Sequence, residues 1–146
     1  MLDVVEGLEG NWSIARTIDP EGSLAGVATF FRRTDGWLAY FERGELKVAG
    51  GSYPAERRYL FEPLTNGFAV WFDAEPLRLF HKIALIRSED GSLTGEATHP
   101  CGRDMYLTTY RFAGDGFTIR HRVTGPNKNY TMTTAYTRRT DKRIAA

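Results

Sequence analysis

Turn signals punctuate this chain from end to end. "DG" stands at 35–36, "NG" at 66–67, "EDG" at 89–91 and "GDG" at 114–116, and fifteen glycines are spread along the chain, as suits many short strands joined by turns. Asn-Gly is the strongest of these, because both residues tolerate the positive φ of a two-residue hairpin. Between the turns lie segments of alternating apolar and polar residues. They run "NWSIARTID", "SLAGVATFFRRT", "WLAYFERGELKVAG" with a bend near Gly44, "AERRYLFEPL" after a "GGSYP" turn, "FAVWFD", "LRLFHKIALI", "SLTGEATHPC", "DMYLTTYRF", "FTIRHRVTG" and "YTMTTAYTRR". A short helical turn is expected over residues 3 to 8, and no long helix anywhere. About ten strands joined by tight turns make an antiparallel meander. In one domain of 146 residues so many strands must close on themselves or split into two sheets, because open edges invite aggregation. The expected fold is an all-β, up-and-down barrel of about eight to ten strands, a single domain over residues 1–146.

Charge excludes some functions. Nineteen basic and eighteen acidic residues leave a net +1, so neither nucleic acid nor an anionic membrane is expected as a partner. The basic run "TRRTDKR" near the C-terminus reads as a solvated tail. One cysteine, Cys101, allows no internal disulfide. The opening "MLDVVEGLEGNW" lacks the charged and apolar regions of a signal peptide, and no window approaches a membrane span, so a cytoplasmic protein is expected. Oligomeric state stays open, a homodimer included.

Side-chain alternation places the polar residues. Tyr40, Glu42 and Gly44 share a face, as do Ala55, Arg57, Tyr59 and Phe61. Leu77, Leu79, His81 and Ile83 form an apparent inner face, with Arg78, Phe80 and Lys82 opposite. Gly95, Ala97, His99 and Cys101 share the next, and a bulge-like kink at Pro100–Gly102 lets Asp104 and Tyr106 continue it. The expected interior thus holds Glu42, Arg57, Tyr59, His81, His99, Cys101, Asp104 and Tyr106. Unpaired buried charges cost several kcal/mol each, so these residues pair or line a wet cavity. Glu42 and Arg57, on adjacent strands, are placed to pair. In "GPNKNY", Lys128 is set to meet an anionic ligand at a barrel mouth, with Tyr130 beside it.

Two marks carry a family likeness. "GNW" at 10–12 is a Gly-x-Trp opening the first strand, and Arg138 or Arg139 ends the last. This resembles the calycin signature of lipocalins and fatty-acid-binding proteins, which implies a Trp closing one barrel end with an Arg stacked over it. Nearly the whole chain resembles a family of uncharacterised bacterial proteins of calycin-like fold. The residues that carry this are "GNW", Tyr40-x-Glu42-x-Gly44, Ala55-x-Arg57-x-Tyr59, Phe80-His81, His99-x-Cys101-x-x-Asp104-x-Tyr106 and "VTGPNKNY". Where that family tends to have Trp, this chain has Phe61 and His121.

The favoured function is a small-molecule binding barrel whose ligand is small, acidic or aromatic, held by Arg57 or Lys128 and oriented by Tyr40, Tyr59, Tyr106 and Tyr130, with Cys101 in the wall. The alternative is a cofactor-free lyase, isomerase or cyclase in the same cavity. Arg57 would hold an anion, His81 or His99 would move a proton, and Asp104 or Glu42 would orient it; phenolic acid decarboxylases are similar in residue types only. A third reading is a metal at His99, Cys101 and His81, or haem as in nitrobindin-like barrels. The favoured reading calls for no cofactor and no metal.

Overall fold

A computed structural model describes residues 4–139. One short helix, α1 (Val4–Leu8), precedes eleven strands: β1 (Gly10–Asp19), β2 (Ser23–Arg32), β3 (Leu38–Val48), β4 (Gly51–Leu64), β5 (Gly67–Phe72), β6 (Arg78–Ala84), β7 (Ile86–Arg87), β8 (Leu93–Cys101), β9 (Asp104–Ala113), β10 (Gly116–Thr124) and β11 (Asn129–Arg138). The expected helical start at residue 3, and the "TRRTDKR" run from residue 140 onward, lie outside the described residues. Each strand pairs antiparallel with the next, except across β6 and β7, and β1 pairs with β11. The result is a nearly closed up-and-down barrel with one seam.

The seam lies where "LRLFHKIALI" breaks at Leu85: β6 pairs with β5, while β7 pairs with β8. Two strands therefore stand where one was expected. The seam is tight at Gly95, where a Cβ would lie 2.6 Å from the Ala84 carbonyl oxygen. Only glycine lets the two backbones approach so closely. Nor does Gly44 bend the third strand, since β3 pairs continuously with β2 and β4. The expected "GGSYP" turn shrinks as well, because β4 already begins at Gly51.

One barrel end is filled by aromatic rings. Trp12 is buried, meets Phe117 edge-on at 4.9 Å and donates from Nε1 to the Leu8 carbonyl at 2.9 Å. Arg138, not Arg139, covers it: the guanidinium carbon sits 4.1 Å from the Trp12 ring centre. The same guanidinium donates to the carbonyls of Glu9 and Gly7 at 2.8 and 2.5 Å. Those bonds satisfy acceptors that a helix end leaves unpaired, so Arg138 ties α1 to the plug. Phe30, Leu38, Phe61, Phe68 and Tyr136 continue the packed core from there.

Candidate functional site

The register of β1 against β11 sets Trp12 beside Arg138 and Asp19 beside Thr131, so the strand ends near Tyr130 form the barrel end opposite the plug. The polar residues gather toward that second end. Strand alternation turns Trp12, Ile14 and Arg16 inward from β1, and Met132, Thr134 and Tyr136 inward from β11.

At the centre is an ion pair. Arg16 Nη1 and Nη2 reach Glu42 Oε2 and Oε1 at 2.7 and 2.9 Å, and Arg16 Nε donates to Thr134 Oγ1 at 2.7 Å. Both partners are about 95% or more buried. Tyr40 donates a short hydrogen bond to Glu42 and shares another with the Tyr136 hydroxyl at 2.7 Å. Burial alone would raise the Glu42 pKa; the hydrogen bonds and charge of Arg16, with Tyr40 and then Arg57, hold it below the ordinary carboxylate value. Burial, then Tyr136 and Glu42 beside it, push Tyr40 well up, keeping its proton on.

Arg57 stands opposite Glu42 in the β3–β4 register, as expected. Yet the tight partner of Glu42 is Arg16. Arg57 approaches Glu42 only to 4.0 Å from Nε, and its other polar neighbour is the Met132 sulfur at 4.0 Å. Arg57 lines two neighbouring chambers. The inner one, of about 20 Å³, is bounded by Arg16, Tyr40, Glu42, His121, Thr134 and Tyr136 among others. The outer one, of about 200 Å³, is lined by Arg57, Tyr59, Phe72, Phe80, His99, Cys101, Tyr106, His121, Tyr130 and Met132. Arg57, Tyr59, Phe80 and His121 belong to both.

The sequence-derived residues fall into three groups. Arg57, Tyr59, His99, Tyr106, Tyr130 and, at an exposed position, Cys101 line the outer chamber; Tyr40 and Glu42 line the inner one. Asp104 and Lys128 lie outside both linings. They pair with one another at 3.5 Å, and Lys128 also reaches the Tyr106 hydroxyl at 3.4 Å. His81 is buried but lines neither chamber: Nε2 bonds to the Tyr110 hydroxyl at 2.8 Å and Nδ1 has no partner. Burial, with His121 and His99 nearby, lowers its pKa to about 3.

Two local geometries differ from expectation. In β6 the register slips between Val70 and Trp71, so that Phe80 becomes an extra residue and both Phe80 and His81 are buried. Leu77 is instead exposed and Leu79 half-buried. The "HPCGRDMY" segment is a tight hairpin, not a kinked strand. Cys101 pairs with Asp104 and His99 with Tyr106 across Gly102, whose φ is +63°.

Phe80 is the hub of this end. Its ring meets those of all three histidines, His81 at 4.3 Å, His99 at 5.3 Å and His121 at 5.9 Å. His121 Nδ1 is hydrogen-bonded to the buried Thr108 hydroxyl at 2.8 Å. Burial, then the positive charges of Arg57 and Arg16, lower the His121 pKa to about 4, so the ring is neutral at pH 7. Arg16, His121, Thr134 and Tyr136 were missed as site residues. The same alternation carries the signal, since Arg16 follows Trp12 and Ile14 on one face and His121 follows Phe117 and Ile119.

Among the described residues, no group of three or more His, Cys, Asp or Glu side chains is placed to hold a metal ion. A wider, open hollow of about 640 Å³ lies at the plugged end around Trp12 and Arg138 and contains none of the candidate residues.

No curated protein matches the chain. Among solved structures, one described as the de novo design of a fluorescence-activating β-barrel is similar at a TM-score of 0.55 and 13% identity, covering 95% of this chain and 100% of that one. At that identity the likeness speaks for the fold alone. A family model matches residues 8–138, and the chain belongs to that family, the family of unknown function DUF6314.

Proposed function

We propose that this protein is a calycin-like barrel that binds one small monoanionic molecule, a carboxylate with an aromatic or short apolar body, in the paired chambers around Arg57. The observation that carries the reading is the state of Arg57. Glu42 is already saturated by Arg16 and Tyr40, which leaves the guanidinium of Arg57 without a close carboxylate. The Lys, Arg, Asp and Glu side chains lining the two chambers are Arg16, Arg57 and Glu42, a net of one positive charge. A guanidinium with free donors, half-buried at a chamber wall, favours a carboxylate, which it can hold through two parallel hydrogen bonds.

The body of the ligand would sit against Tyr59, Phe72, Phe80 and Tyr106 in the outer chamber. A cavity of about 200 Å³ is below the usual range for drug-sized ligands of roughly 300–1,000 Å³, so the fit is to a single ring or a short chain. The designed barrel of similar fold, described as fluorescence-activating, supports the barrel fold on which this reading rests, and closed barrels of about this strand number can hold one small ligand.

Calorimetric titration with benzoate, hexanoate and the neutral benzamide tests this. Carboxylates should bind and benzamide should bind at least about tenfold more weakly, with Arg57→Gln removing the difference. Equal binding of benzoate and benzamide, or undiminished benzoate binding by Arg57→Gln, would refute it.

A further inference from the structure

Resting on that reading, we propose that the inner chamber is a recess for a single carboxylate oxygen, and that His121 is the residue that makes the site select planar carboxylates over tetrahedral oxyanions. Two observations carry this. The first is size. The inner chamber of about 20 Å³ only just exceeds the roughly 10–15 Å³ that one water needs. It admits one oxygen atom and little else. A carboxylate on Arg57, at the junction of the chambers, can turn one oxygen inward and keep the other in the outer chamber. A sulfonate or phosphonate that offers one oxygen to the recess must hold two more, on a bulkier tetrahedral head, at the junction between Arg57 and His121.

The second observation is the hydrogen-bond state of His121. The buried hydroxyl of Thr108 has one partner, His121 Nδ1. A buried hydroxyl needs an acceptor for its proton, and Nδ1 is the acceptor at hand. Thr108 therefore donates, Nδ1 carries the lone pair, and the proton of the neutral ring sits on Nε2. That leaves Nε2–H as a donor on a ring that lines both chambers. The stack against Phe80 fixes the plane of the ring. A carboxylate oxygen at the junction would then accept from Arg57 and from His121.

The full chain should be titrated with benzoate and benzenesulfonate, which share one ring and one charge. Benzoate is expected to bind at least about tenfold more tightly, and His121→Phe should cost benzoate about tenfold while changing benzenesulfonate less than about twofold. The aromatic replacement keeps a ring against Phe80. Should that variant not fold, nitrogen NMR of the unaltered protein gives the tautomer directly: Nε2 protonated and Nδ1 bare is expected, and the opposite tautomer overturns the proposal. Equal affinity for benzoate and benzenesulfonate overturns it too, while leaving carboxylate binding itself intact. If neither anion binds, the reading of Arg57 falls, and this inference with it.

Discussion

Two histidines, His81 buried and His121 half-buried, should make this barrel lose stability as the pH falls from 7.5 to 5. His81 and His121 have folded-state pKa values of about 3 and about 4, lowered first by burial, against 6.5 for a free imidazole. Above pH 6.5 both states hold the rings neutral and there is no penalty. Below it the unfolded chain takes up protons that the folded barrel refuses, so stability falls with pH until each folded pKa is passed. At about pH 5 each ring lags its unfolded counterpart by most of 1.5 units, or about 2 kcal/mol each at 1.36 kcal/mol per unit. Together they should remove about 4 kcal/mol between pH 7.5 and 5, a large part of the stability of a small domain. Glu42, held low by Arg16, keeps its contribution above its unfolded value of 4.5 and loses it only as pH falls further. Chemical denaturation at the two pH values reads the difference. His81→Gln and His121→Gln should each remove about half of the pH dependence, whatever they do to stability itself. A barrel equally stable at both pH values, to within about 1 kcal/mol, would refute the argument that burial keeps these rings neutral.

Replacing Arg16 by Met strands Glu42 in the interior and should cost about 3–5 kcal/mol in denaturant melts, far more than Arg57→Met, because only Arg16 makes the bidentate contact. Gly67→Ala should destabilise by more than about 2 kcal/mol, since its Cβ would lie 1.9 Å from the Ile83 carbonyl oxygen on the neighbouring backbone. Leu77→Ser, at a position 44% exposed, should change stability by less than about 0.5 kcal/mol.

Much of the barrel was legible because turns and alternation are local. The "GDG" at 114–116 marks a hairpin with Gly114 at positive φ, and "NG" at 66–67 falls at another, although there the turn residues are Thr65 and Asn66, Gly67 pairs with Leu64 and neither Asn66 nor Gly67 has positive φ; the plug is legible in Trp12 and a terminal arginine. The β6 inner face was misread for a physical reason. Period-two counting assumes an unbroken ladder, and a one-residue slip at Phe80 turns the outer residue inward while leaving His81 buried. In β8 and β9 a two-residue hairpin, not a phase-shifting kink, puts His99, Cys101, Asp104 and Tyr106 on one face, yet Cys101 is exposed there and Asp104 turns to Lys128 outside the chamber linings. Adjacent strands suggest that Glu42 pairs with Arg57. The true partner, Arg16, is on β1, two strands from Glu42, and reaches it over β2 inside the barrel, where adjacency of paired strands gives no guidance. Its own strand did show it facing inward with Trp12 and Ile14.

The claim that Arg57 receives a carboxylate is tested most directly by the position of a bound one. In a crystal structure of the benzoate complex, the carboxylate should lie within about 3.2 Å of the Arg57 guanidinium, with the ring against Phe80 and Tyr59. Benzoate found instead in the open hollow around Trp12 and Arg138, with the chambers at Arg57 unchanged, would contradict the account.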